Sequence, residues 1–146
     1  MNAPLDIRAL YQGKRFLVVG GTGFLGKVWL SMLLSHLGDE VGHVWLVVRE
    51  RRREDGSLKQ SSEQRFWSEI ASSKVFAPLR KRYPGGQYEA FLRQKITPIP
   101  GDVSDPCVVP AEVRDAVRGQ VTAVVNAAGI VDFMPPLDYA LNANAF

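Results

Sequence analysis

The chain has 146 residues, 46% of them hydrophobic and 23% charged, the composition of about one globular domain, which excludes a largely disordered chain. The net charge is only +3, but residues 49–95 hold twelve of the eighteen Lys and Arg and six of the fifteen acids, so a basic middle lies within an acidic frame. One cysteine, Cys107, excludes an internal disulfide, and no stretch approaches the roughly 20 apolar residues of a membrane-spanning helix.

In chain order, residues 1–13 read as a leader, without the basic start and apolar run of a signal peptide. Arg15 to Val19 is a short apolar run ending in glycines, a buried strand. Residues 24–37 follow as a helix, with Phe24, Val28, Trp29, Met32 and Leu33 at helical spacing and Gly38 as its stop. Val44 to Val48 is a second buried strand. Strand, glycine turn, helix and strand within about 35 residues form the opening βαβ unit of a doubly wound parallel sheet.

Residues 50–94 interrupt that alternation. Arg51 to Gln60 is polar and reads as a loop, and Ser61 with Gln64 resembles a capping box. Phe66, Trp67 and Ile70 mark an amphipathic helix, and Tyr88 to Gln94 a short one. Phe66, Trp67, Phe76 and Phe91 require burial, so the segment is a helical insertion and not a linker. Ile96 to Ile99 is a third strand despite Pro98, Ala111 to Arg118 a helix closed by Gly119, and Val121 to Val125 a fourth strand. Asp138 to Phe146 begins another helix. Four strands and an unfinished helix would leave one sheet face and one edge exposed.

Four features carry chemistry. Gly20, Gly23 and Gly26 have the GxxGxxG spacing, after a strand and at the start of a helix. Glycine there turns the chain sharply, lets a pyrophosphate approach the backbone, and lets the helix pack closely, while the helix N-terminus offers free N–H groups. After the second strand comes Arg49, then Glu50 and three arginines. An acid at that point would accept from the ribose hydroxyls of NAD; an arginine pairs with the 2′-phosphate of NADP. Asp102 and Val103 after the third strand suit an adenine, and Asp102 equally suits a turn or a cap. Asn126-Ala127-Ala128-Gly129 after the fourth strand is small enough for backbone to line the nicotinamide side. His36 and His43 have no metal-ligand spacing, and no metal site is expected.

The glycine motif and the Asn-Ala-Ala-Gly motif, in that order, resemble those of extended short-chain dehydrogenases. Leu46-Val47-Val48-Arg49, Ser73-Lys74-Val75-Phe76, Ile99-Pro100-Gly101-Asp102-Val103-Ser104 and Val131-Asp132-Phe133 narrow the resemblance. They are similar to the fatty acyl-CoA reductase group, which includes the "male sterility" reductases and thioester-reductase domains. The resemblance covers about residues 14–146 and implies a Rossmann-type α/β fold with an insertion at about 50–94, here truncated. It implies hydride transfer from NADPH to a fatty acyl thioester, giving an aldehyde or an alcohol. Gly20, Thr22, Gly23, Phe24, Leu25 and Gly26 would hold the pyrophosphate, Arg49 the 2′-phosphate, Asp102 and Val103 the adenine, and Ala127, Ala128 and Gly129 the ribose and nicotinamide. Asn144 would support the catalytic lysine through water. The family's Tyr-x-x-x-Lys pair is missing, because Tyr11, Tyr83, Tyr88 and Tyr139 are followed four residues later by Arg15, Gln87, Leu92 and Ala143. The chain therefore reads as the cofactor-binding fragment of a cytoplasmic enzyme whose acyl substrate binds elsewhere. A sugar-nucleotide epimerase or dehydratase and a non-catalytic NADP-binding module are the alternatives. A nucleic-acid binder is not favoured, since the aromatics sit at core-like spacing.

Overall fold

In the computed structural model, which describes residues 5–129, 134, 136–138 and 141, four parallel strands form the central sheet. They are β1 (Arg15–Val19), β2 (His43–Val48), β5 (Ile96–Pro100) and β6 (Ala123–Asn126), in the order β5-β2-β1-β6. Between them in sequence, β3 (Arg51–Arg52) and β4 (Leu58–Gln60) make a small antiparallel hairpin. The order runs outward from β1 through β2 to β5 on one side and jumps back to β6 on the other. That reversal is the switch point at which doubly wound sheets bind ligands.

Strand alternation divides the sheet into two faces. Phe16, Val18, Val44, Leu46, Val48 and Ile96 point to the larger core. The 14-residue helix α2 (Phe24–Leu37) covers it, together with the insertion: α3 (Ser62–Arg65), a π-helical turn over Phe66–Ala71, a 3-10 turn over Lys74–Phe76, α4 (Ala77–Arg82) and α5 (Gly86–Lys95). Phe66, Ile70, Phe76, Leu79 and Leu92 are fully buried in it. The insertion thus supplies seven of the seventeen buried residues of this larger core. Val19, Val47, Ile99 and Val109 form a smaller cluster on the other face, against Val113 of α6 (Ala111–Val117). There Val124 on β6, at one edge of the described sheet, stays 64% exposed.

Several local features differ from the sequence expectation. The 51–60 segment is a hairpin, not a loop. Asp55-Gly56 at its tip is the missed signal: Gly56 has φ +81°, and the Asp55 carboxylate accepts from the Ser57 N–H at 2.8 Å. Helix α2 buries Gly26, Leu30, Leu33 and Leu34, while Phe24 and Met32 face solvent. Its sequence is apolar on nearly all sides, so spacing alone does not choose a face; Gly26, packed on the backbone of Gly20 and Gly21, does. Strand β6 starts at Ala123, two residues later than expected; just before it, Thr122 donates its backbone N–H and its hydroxyl to the Arg15 carbonyl, and its hydroxyl oxygen accepts from the Arg15 N–H. Residues 7–11 within the leader form a short helix, α1 (Ile7–Tyr11), capped by Asp6, and Tyr11 packs against Phe16.

Other expectations hold. Ser61 and Gln64 exchange both bonds of a capping box. Pro98 and Pro100 share one side of β5, the outer strand of the described sheet, where lost N–H donors are tolerated. The expected helix start at Asp138–Phe146, the Val131-Asp132-Phe133 segment and Asn144 lie outside the described residues, apart from Asp138 and Leu141.

Candidate functional site: a cleft at the carboxyl ends of the strands

The turns that leave β1, β2, β5 and β6 meet in one cleft of about 470 Å³. Gly20, Thr22 and Gly23 come from the turn after β1, Arg49 from the end of β2, Asp102 and Val103 from the end of β5, and Ala127 to Gly129 from the end of β6. Nine of the twelve expected cofactor residues therefore line a single space. Phe24, Leu25 and Gly26 do not. Phe24 and Leu25 are 80% and 66% exposed, and Gly26 is buried beneath the loop.

The glycine turn is shaped by its neighbours. Gly20 has φ +83°, and a Cβ there would lie 2.2 Å from the Ala128 nitrogen. β1 and β6 are adjacent, and the Ala127 N–H bonds the Val19 carbonyl at 2.9 Å, so the two turns touch. Asn126 finishes the wall: its side-chain oxygen accepts from the Ala128 N–H at 3.0 Å. Gly23 differs. It is the N-cap of α2 with an ordinary φ of −72°, and the nearest atom to an added Cβ is 3.4 Å away. Nothing among the described residues requires glycine there. No side chain caps the helix either, so the first-turn N–H groups face the cleft side with no side-chain acceptor. A cradle that forbids a Cβ at Gly20, tolerates one at Gly23 and keeps a helix N-terminus open fits a dinucleotide's pyrophosphate.

The charges at the other end are ordered. Arg49 reaches the Asp102 carboxylate at 3.5 Å and is otherwise exposed. Burial alone would raise the Asp102 pKa, but the Ser104 N–H and hydroxyl at 3.0 and 2.8 Å, with Arg49, more than offset it and hold the carboxyl below its ordinary value. Asp102 therefore does make the turn that its position allowed, and its second oxygen faces Arg49. Glu50 pairs with Arg52 at 2.9 Å and lines an adjoining hollow that shares Arg49, Gly101 and Asp102 with the cleft.

Arg65 is the residue that the sequence reading missed. It is 9% exposed, lines the cleft, and donates to the Arg49 carbonyl and to both oxygens of Glu69. The available signal was a lone arginine between a capping box and a buried Phe66, with Glu69 four residues on. Cys107 is exposed on the loop after β5. His43 bonds Thr97 at 2.9 Å at the amino-terminal end of β2, the opposite end of the sheet from the cleft. Among the described residues, no group of three or more His, Cys, Asp or Glu could hold a metal, and no helix is long and apolar enough to cross a membrane.

A parallel sheet ordered 3-2-1-4 by strand, with a glycine turn and open helix N-terminus at its switch point, defines a Rossmann-type nucleotide-binding unit. The chain belongs to the male sterility protein family of NAD-binding domains, whose family model matches residues 18–146, and so carries a nicotinamide-cofactor domain. It is similar to fatty acyl-CoA reductase 2, chloroplastic, of Arabidopsis thaliana, with 27% identity over 99% of this chain and 22% of that protein. It is also similar to the alcohol-forming fatty acyl-CoA reductase of Simmondsia chinensis (26%, over 97% and 27%) and to fatty acyl-CoA reductase 1 of Rattus norvegicus (30%, over 96% and 25%). The chain spans about a quarter of the length of these relatives. The terminal R domain from the myxalamid PKS-NRPS pathway shares the fold, with a TM-score of 0.61 and 20% identity over 91% of this chain and 29% of that one.

Proposed function

We propose that residues 14–146 are the NADP(H)-binding part of a reductase acting on fatty acyl thioesters. The observation that carries the cofactor choice is the arrangement after β2. Arg49 and the buried Arg65 line the cleft, whereas Glu50, the acid able to accept from a ribose diol, is held by Arg52 in the adjoining hollow. A 2′-phosphate needs cations at that place and is repelled by a free carboxylate.

In this reading the first-turn N–H groups of α2 hold the pyrophosphate, and Gly23 allows its approach. Arg49 takes the 2′-phosphate, exchanging its long contact with Asp102 for a stronger one. Asp102 and Val103 border the adenine. The Ala127-Ala128-Gly129 backbone, fixed by Asn126, borders the ribose and nicotinamide. When bound, NADPH would supply a hydride to the thioester's acyl carbon, which with a proton and release of the thiol gives the aldehyde, and a second hydride and proton would give the alcohol. The proposal assigns acyl binding and proton donation to other parts of the parent protein, on the names of the relatives. The exposed, unpaired Cys107 suits a reducing compartment, and the proposal places the protein in the cytoplasm, although one relative is named chloroplastic.

Calorimetric titration of the purified chain with NADPH and NADH tests the cofactor half. Selective NADPH binding that Arg49→Ala abolishes supports it; equal binding of both overturns it. Assay of the parent protein with NADPH and a long-chain acyl-CoA tests the substrate half.

A further inference from the structure

The insertion between β2 and β5 is joined to the cofactor cleft through one charge network. Arg65, at the end of α3, is nearly buried, yet it lines the cleft. A guanidinium has five N–H donors in a rigid fork. Nε and Nη2 donate to the two Glu69 oxygens at 3.2 and 2.8 Å, and one Nη1 hydrogen goes to the Arg49 carbonyl. Among the described residues the other two N–H groups have no protein partner. Buried donors of this kind ordinarily find one. Glu69 does a second thing: its Oε1 lies 3.1 Å from Nη2 of Arg51, at the base of the β3–β4 hairpin. One carboxylate on the π-helical turn therefore grips the arginines on both sides of Arg49's backbone.

We infer that Glu69 is a positioning residue for the phosphate-reading end of the cleft. It locks the Arg65 fork so that two donors remain for an anion, and through Arg65 it fixes the carbonyl, and hence the direction, of Arg49. The inference rests on the NADP(H) reading above and deepens it: the 2′-phosphate preference is supplied in part by the insertion and not only by the βαβ unit. A carboxylate is needed at 69 because only an ion accepts from both arginines in this geometry; an amide there would present one donor to a guanidinium and free Arg65 to rotate.

The experiment is a parallel titration of NADPH and NADH with wild type, Glu69→Gln and Arg65→Lys. The expected result is a loss of about tenfold or more in NADPH affinity for both variants, the size of one lost hydrogen bond to a charged group, with NADH affinity unchanged. Unchanged NADH binding shows that the fold and the pyrophosphate cradle survive, which a merely structural role would not allow. A Glu69→Gln variant that keeps the wild-type NADPH preference overturns this inference and leaves the Arg49 reading standing. Loss of both cofactors together also overturns it, since Glu69 would then serve the fold alone. A wild type without preference overturns both readings.

Discussion

Gly23→Ala separates the fold's demands from the ligand's. At Gly23 φ is −72°, and an added Cβ would stand 3.4 Å from the Gly20 carbonyl oxygen, an ordinary contact. Restricting the unfolded chain should add about 0.4–1 kcal/mol of stability. Alanine is a poorer N-cap than glycine, which should remove about 0.5 kcal/mol. The net change is within about 0.5 kcal/mol of zero. The cofactor feels the methyl differently, because it points to where the phosphates must approach the α2 N–H groups. Displacing them should cost about one charge-assisted hydrogen bond, about 1.5–3 kcal/mol, or roughly tenfold to a hundredfold in affinity. Gly20→Ala is the contrast. Its φ of +83° and the 2.2 Å approach to Ala128 act within the protein. Left-handed strain of about 1–2 kcal/mol and overpacking of about 1–3 kcal/mol should lower the melting temperature by roughly 10 °C. Thermal unfolding and NADPH calorimetry on both variants give the test. If Gly23→Ala destabilises the chain as Gly20→Ala does, or binds NADPH like wild type, the assignment of Gly23 to the ligand is wrong.

Three further outcomes follow from the same geometry. Phe76→Ala removes a fully buried ring from the insertion and should cost about 3–5 kcal/mol, read by urea denaturation; a cost under about 1 kcal/mol would mean that the insertion is not part of the core. Burial lowers the His43 pKa, more than a backbone contact at Gln94 raises it; the unfolded chain therefore binds the proton more tightly, and stability should fall as pH drops below about 6.5. His43→Asn should flatten that slope. The carboxyls of Asp102 and Glu69 are held below their ordinary values, so their stabilisation is complete above about pH 4.3 and lost as pH falls through the lower folded values; Asp102→Asn should weaken that acid limb of the stability curve.

Most of this architecture is legible in the chain. The runs at 15–19 and 44–48, the glycines between them and the capping box at 61–64 each have a local physical cause that acts in one way. The misreadings have causes that local pattern does not contain. Helix α2 is apolar around most of its circumference, so its buried face is chosen by Gly26 and the sheet. The hairpin at 51–60 hides in charged residues, and only Asp55-Gly56 betrays it. The start of β6 is set beside Thr122, whose backbone and side chain both bond Arg15, a residue 107 positions away. At the site, glycines and small residues announce themselves by spacing, and Arg49 by its distance from Gly26. Arg65 does not, because its importance comes from tertiary placement: a helix laid over the end of β2 brings a buried guanidinium to the Arg49 carbonyl.

Amide chemical-shift mapping of the labelled chain with NADPH tests the central claim most directly. The account predicts shifts at Gly20 to Gly26, Arg49, Asp102, Val103 and Ala127 to Gly129, with the Arg65 Nε–H moving alongside and smaller changes at Arg49 and Arg65 when NADH replaces NADPH. Saturating NADPH that leaves these amides unmoved, or that moves residues of the thinly covered sheet face instead, would contradict it.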